Sequence, residues 1–322
     1  MIVCRTVRET RAALRRARRP LGLVPTMGAL HDGHLALVAA ARGRCATVAA
    51  SLFVNPTQFG RGEDYDRYPR DEARDLALFE EAGVDLVFAP PVEEMYPEGF
   101  ATTVHVGGAL TETLEGAARP GHFDGVATVV VKLFGIVQPD LAFFGQKDAQ
   151  QLAVVRRVVR DLDLPVEVVA VPTVREPDGL AMSSRNAYLS REQRAVAPRF
   201  YQALLAGRAA ANGPSPDRGR VTPADVVATT RAALEASGAF AVDYVAVVDA
   251  DTFVPARELG ERDLLVAAVR LGGTRLIDNI PLAPPERSAG GAPSRRATRA
   301  RPTRSPARTP SGDATGRKGG TP

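Results

Sequence analysis

Short, nearly continuous apolar runs at Leu21–Val24, Ala46–Val54, Asp85–Ala89, Leu141–Phe144 and Val166–Val171 constrain the fold of this chain more than any other feature. They do not alternate apolar with polar residues, so they do not suit a sheet with one wet face. Each reads as a strand covered on both sides. Helix-period patterns separate them, at Leu35–Ala41, Asp71–Glu81 and Gln150–Arg160. Strands alternating with helices predict an α/β fold with a doubly wound, mostly parallel sheet. In such sheets ligands bind beyond the carboxyl ends of the strands.

The polar clusters fall at those ends: His31 and His34 after the first run, Asn55 and Gln58 after the second, Gly145–Asp148 after a later one. The first cluster belongs to the string Pro25-Thr-Met-Gly-Ala-Leu-His-Asp-Gly-His34, where a strand hands over to a helix. The first N–H groups of a helix lack partners and favour an anion, and two imidazoles there add donors that can carry charge. A lone histidine reads as a satisfied structural residue. A pair at i and i+3 beside Asp32-Gly33 leaves the structural and catalytic readings both open. Zinc fits less well, because the spacing is not that of H-E-x-x-H and neither Cys4 nor Cys45 sits in a paired-ligand pattern; the metal ligands are unknown from sequence. No P-loop and no G-x-G-x-x-G string occurs.

A second region begins near Pro172–Pro177, with helical patterns around Arg191–Ala211 and Ala224–Ala236 and a loop at Asn212–Gly219. Antiparallel strands are predicted at Val242–Val248 and Leu264–Leu271, with a short segment Arg275–Ile280 after a Gly272-Gly273 turn, which suggests a smaller α+β unit. The expected organisation is residues 1–175 for the domain built on the parallel sheet, 176–282 for the smaller C-terminal domain, and 283–322 for a tail.

Charge separates that tail from the body. Residues 283–322 hold nine basic and two acidic side chains, a net of +7, which leaves the rest at −3 within the total of +4. With almost no large apolar residue after Leu282, the tail is expected to be disordered. It reads as a solvated extension rather than a nucleic-acid contact, since no aromatic is interleaved for base stacking. No apolar run approaches the length of a membrane helix, and two cysteines give no disulfide framework, so a reducing, cytoplasmic setting is expected. The arginine-rich stretch Arg5–Arg19 resembles a transit peptide only superficially and is expected to be a surface helix. Only three of the 41 basic side chains are lysine, Lys132, Lys147 and Lys318, so a lysine at a site suggests that a compact ammonium is needed there.

Taken together and in order, Pro25–His34, Phe53–Phe59 (Phe-Val-Asn-Pro-Thr-Gln-Phe), Arg119–Gly125 (Arg-Pro-Gly-His-Phe-Asp-Gly), Gly145–Gln151 and Met182–Asn186 (Met-Ser-Ser-Arg-Asn) closely resemble the pantothenate synthetase (pantoate–β-alanine ligase) family of the HxGH-type nucleotidyltransferases. The resemblance covers about residues 1 to 282. It implies a Rossmann-like fold, with nucleotide and pantoate bound by residues 1–175 and a lid formed by 176–282. It also implies a homodimer with no membrane association, and a two-step reaction with Mg2+. The pantoate carboxylate attacks the α-phosphate of ATP to give pantoyl adenylate and pyrophosphate, and the β-alanine amine then displaces AMP. An adenylyltransferase of the same superfamily with another acceptor is the alternative.

Residue by residue, the resemblance implies an ATP-binding turn at Met27, Gly28, Ala29, Leu30, His31, Asp32, Gly33 and His34, with His34 as proton donor. It implies a second ATP segment at Gly145, Gln146, Lys147 and Asp148, in which Lys147 offers a point charge to the phosphates. Val174 contacts adenine through its backbone, and Met182, Ser183, Ser184 and Arg185 clamp phosphate. Gln58 and Gln151 hold pantoate, Asn55 supports them, and Gln58 also faces β-alanine. Arg119 and His122 are candidates for neutralising a carboxylate or phosphate, and Asp75 for an outer-sphere magnesium ligand. Thr57 departs from the methionine common in the family. Lys132, within an apolar helical pattern, is expected to be structural, and His105 incidental.

Overall fold

A computed structural model describes residues 1–213 and 220–283. The expectation of a disordered tail therefore falls outside the described residues, as does most of the loop at 212–219. The described residues belong to one compact unit, Met1–Pro284.

The N-terminal half alternates strands and helices. Strand β1 (Ile2–Cys4), helix α1 (Val7–Leu14), β2 (Leu21–Thr26), α2 (Asp32–Arg42), β3 (Thr47–Leu52), α3 (Glu72–Glu81) and β4 (Leu86–Phe88) come first. Three short helices follow, α4 (Val92–Met95), α5 (Ala109–Glu112) and α6 (Glu115–Ala118), and then the long α7 (His122–Val137). Strand β5 (Leu141–Gly145), α8 (Ala149–Asp161) and β6 (Glu167–Val171) close this half. All six strands are parallel, in the order β1-β4-β3-β2-β5-β6. The strand runs predicted from sequence coincide with β2 to β6. The edge strand β1 lies outside those runs, because three residues carry no measurable period. The basic N-terminal helix is shorter than Arg5–Arg19: a Thr6/Glu9 capping box starts it and it ends at Leu14.

The chain moves outward from β2 through β3 to β4 on one side, and from β5 to β6 on the other, so the strand order reverses between β2 and β5. Strands β2 and β3 pair along their whole length, Leu21↔Thr47 through Thr26↔Leu52. Strands β2 and β5 pair only at Gly22↔Leu141 and Leu23↔Ala142. Their carboxyl ends therefore diverge into a crevice. One apolar layer, with Leu23, Phe88, Val126, Leu133 and Phe144, covers one face of the sheet. Another, with Val24, Leu30, Val38, Phe79 and Phe143, covers the other.

The C-terminal part comprises α9 (Arg191–Val196), α10 (Arg199–Ala211), α11 (Pro223–Glu235), and the antiparallel strands β7 (Phe240–Asp249), β8 (Asp263–Leu271) and β9 (Thr274–Pro281) in the order β7-β8-β9. The single helical pattern at 191–211 is broken where Pro198 supplies no N–H. Phe200, Leu204, Leu234, Leu265 and Val269 form a separate core. Val154 of α8 packs with Phe253 and Val266 in an apolar seam. Arg275 of β9 pairs with the buried Glu115 of α6, which also accepts from Tyr244 Oη at 2.8 Å.

Lys132 places its ammonium 4.7 Å from the Phe100 ring centroid, a structural contact as expected. His105 is exposed and pairs with Asp124.

Candidate active site

The turn after β2 is shaped by a carboxylate from α3. Asp75, 1% exposed, accepts from Ala29 N and Leu30 N at 2.8 Å each. It is a buried bracket for the turn, with both oxygens committed, and this corrects the expectation of an outer-sphere metal ligand. Among the described residues there is also no cluster of three or more His, Cys, Asp or Glu that suits a metal ion.

Helix α2 then starts with histidine as its cap. Gly33 N donates to His31 Nδ1 at 3.1 Å, and His31 N donates to His34 Nδ1 at 3.4 Å. An imidazole that accepts on Nδ1 carries its proton on Nε2, so both rings offer an Nε2–H. The rings lie 4.2 Å apart. Burial, reinforced for His31 by Lys147, pushes the His31 pKa down; burial and the neighbouring His31 push His34 down to about 3. The pair is thus neutral in the free protein, although imidazoles can carry charge. A Cβ at position 33 would lie 2.8 Å from His31 Nδ1, so the cap requires glycine there.

The second wall is the 3₁₀ turn Pro56–Gln58. Asn55, 1% exposed, donates through Nδ2 to Gln58 Oε1 and to Gly125 O, both at 3.1 Å, and accepts from Tyr96 Oη and Thr57 Oγ1. Thr57 thus supports Asn55, which explains how the departure from methionine is accommodated. With its oxygen held, Gln58 presents Nε2 as a donor, 3.0 Å from Met27 Sδ. Gly125 lets α7 touch this turn: a Cβ there would lie 2.4 Å from Thr57 O.

Arg119 and His122 sit behind the turn. His122 Nδ1 donates to Gln58 O at 2.8 Å and its Nε2 accepts from Arg119 Nη1 at 3.1 Å, while Arg119 pairs with Glu63 at 2.6 Å. Both are committed to protein partners. Burial and the adjacent Arg119 hold the His122 pKa at about 4. As neutral support for Gln58, His122 does not supply the anion-neutralising charge anticipated for it.

The third wall follows β5. Lys147 stands on the 3₁₀ turn Gln146–Asp148, its side chain 19% exposed and its Nζ 3.8 Å from Asp148 Oδ1. Gln151 lies on the first turn of α8, facing the cavity, while its neighbour Gln150 is buried against Glu115 N, Leu110 O and Thr113 O. The last wall comprises Val174 and Met182–Arg185. Ser184 Oγ donates to Ala29 O at 3.2 Å, and Arg185 pairs with Asp64 at 2.9 and 3.0 Å.

These walls enclose a cavity of about 230 Å³ lined by Met27, His31, Gly33, His34, Asn55, Gln58, Arg119, His122, Gly145, Lys147, Asp148, Gln151, Val174, Met182, Ser183, Ser184 and Arg185. It adjoins a cleft of about 920 Å³ with which it shares Lys147, Gln151 and Arg185. Gly28, Ala29, Leu30, Asp32 and Gln146 are not among its lining residues; Leu30 is in the core and Asp32 is exposed. Sequence reasoning missed Tyr68 and the α7 face of Val126, Val129, Val130 and Leu133, which also line it. In so uniformly apolar a helix, nothing marks a cavity-facing side chain apart from a core one.

The family model described as pantoate-beta-alanine ligase matches residues 2–281. The chain belongs to the pantoate–β-alanine ligase family. It is a ligase, joining pantoate to β-alanine. It is 58% identical over 282 residues to the pantothenate synthetase of Chloroflexus aggregans, covering 87% of this chain and 99% of that relative. Identity to the pantothenate synthetase of Thermus thermophilus is 57% over 279 residues, 87% of this chain and 98% of the relative. A crystal structure of the Thermus thermophilus pantothenate synthetase matches at 57% identity and a TM-score of 0.83, over 88% of this chain and 100% of that one. The pantoate-beta-alanine ligase of Francisella tularensis, complexed with beta-gamma ATP and beta-alanine, matches at 29% identity and a TM-score of 0.71, over 88% and 98% of the two chains.

Asp75→Ala strands two buried N–H groups and should cost about 3 kcal/mol in urea unfolding; an unchanged midpoint would remove the bracket. A second expectation concerns acid. His122 titrates near 4 folded and near 6.5 unfolded, so between these values the unfolded chain binds more protons and stability falls as pH drops. Melting temperature should decline from pH 6.5 toward 4, and His122→Gln should flatten that decline. An equal slope in the variant would assign the acid sensitivity elsewhere.

Proposed function

We propose that the cavity binds ATP and pantoate side by side and carries out both steps of the ligation. The observation that carries this reading is the convergence, at one switch point, of two imidazole Nε2–H donors, one lysine ammonium and the amides of Gln58 and Gln151. Adenylation builds negative charge on the α-phosphate and on the departing pyrophosphate, so donors fixed in advance around those oxygens lower the barrier. His31 and His34 hydrogen-bond the phosphates as neutral groups. Bound phosphate raises the His34 pKa and so allows it to act as proton donor. Lys147 adds a point charge, and Ser183, Ser184 and Arg185 close on the phosphates once Arg185 exchanges Asp64 for them.

Val174 contacts adenine through its backbone, and the turn at 27–34 together with Gly145–Asp148 accommodates the nucleotide. Gln58 and Gln151 orient pantoate with uncharged donors, which leaves its carboxylate nucleophilic. Asn55 and His122 keep Gln58 in place. β-Alanine enters beside Gln58, and its amine displaces AMP from pantoyl adenylate. Magnesium would come with ATP and supply charge neutralisation to the phosphates, since the described residues offer no carboxylate cluster to hold it apart from the nucleotide. The three-stranded part, residues 176–282, acts as the lid over 1–175. No helix among the described residues is long and apolar enough to cross a membrane. A cytoplasmic homodimer is the proposed working form.

Purified protein should form AMP only when MgATP, pantoate and β-alanine are all present, and formation of neither AMP nor pantothenate would reject the reading. His34→Ala should slow single-turnover adenylation by about 10² to 10³, as for loss of a transition-state donor; an unchanged rate would end that role. Lys147→Arg should also impair turnover, because a planar fork does not replace a point ammonium. Full activity in that variant would show that charge alone suffices.

A further inference from the structure

The dipeptide Asp278-Asn279 lies on β9, in the three-stranded sheet, outside every motif singled out in the sequence. Both side chains are buried and both are committed to groups beyond the sheet. Asn279 Nδ2 donates to Gln146 O and to Lys147 O, each at 2.9 Å. Two bonds from one amide nitrogen to consecutive carbonyls fix that peptide pair, and with it the direction in which Lys147 leaves the backbone. Asp278 holds Arg175 through both oxygens, at 2.6 and 3.0 Å. Arg175 in turn donates to Gly179 O and stacks 3.8 Å from the Tyr201 ring centroid. It follows Val174 directly and is bridged to Ala181, the residue before Met182. One dipeptide thus grips two walls of the cavity, the Lys147 turn and the 174–185 segment.

Packing alone does not call for this chemistry, since apolar side chains would fill the same space without the cost of desolvating a carboxylate and a guanidinium. We propose that Asn279 is a positioning residue for adenylation, holding Lys147 in register with the phosphates through the 146–147 carbonyls, while Asp278 sets the opposite wall through Arg175. The placement of Lys147 then depends on where the three-stranded sheet sits. This proposal rests on the phosphate-binding role given to Lys147 above.

The test measures pantoate-dependent single-turnover adenylation in Asn279→Ala and in the volume-matched Asn279→Leu, each alone and combined with Lys147→Ala, below every variant's unfolding transition. Either Asn279 substitution alone should lower the rate about 10- to 100-fold, with KM for pantoate little changed, as for a reacting group displaced by a fraction of an ångström. In the Lys147→Ala background the same substitution should add little further loss. Equal fold-losses in both backgrounds would overturn the proposal, because Asn279 would then act independently of Lys147, and so would wild-type rates in both single variants. Asn279→Leu keeps the packing volume should Asn279→Ala fail to fold. A wild-type rate for Lys147→Ala alone would remove the role of Lys147 itself, a failure distinguishable from one at Asn279.

Discussion

Strands β2 and β5 are neighbours that pair over only two residues, and the working parts of the molecule depend on that brevity. Where the strand order reverses, the chain leaves the two neighbouring strands in opposite directions, and a crevice opens beyond their carboxyl ends. The turn after β2 and the turn after β5 face one another across it. The histidines and Lys147 come from these two turns, separated by more than a hundred residues in sequence, and the parallel sheet brings them to one edge. Full pairing of β2 with β5 would close the crevice that holds the cavity.

Around that crevice, charges are paired and donors are left neutral. Arg119 is held by Glu63, Arg185 by Asp64 and Arg175 by Asp278. The histidines are neutral through burial, and their capping bonds turn each Nε2–H away from the helix start. Such a site offers polyanions hydrogen bonds, with Lys147 supplying the local charge.

Much of the site was legible because chemistry-bearing residues cluster at strand ends and strand ends are readable from apolar runs. His31, His34, Asn55, Gln58, Lys147 and Gln151 all line the one cavity. The supporting residues were less legible. Asp75 looked like an acid open to metal, and only its burial against two backbone N–H groups shows a bracket. Arg119 and His122 looked like anion ligands, and only their bonds to Glu63 and Gln58 O reveal support. Asn279 carried no signal, since its partners are backbone carbonyls, which every residue possesses.

By itself the sequence determined the α/β class, the mostly parallel sheet, the smaller α+β region and the family, because these follow from local periodicity and from residue types in a fixed order. Only the tertiary structure decided which polar groups are free to meet a ligand and which are spent on the protein. That distinction depends on burial and on partners far away along the chain, as Asp75 with Ala29 and Asn279 with Lys147 show. A side chain's type states what it can donate or accept, and its packing decides to whom.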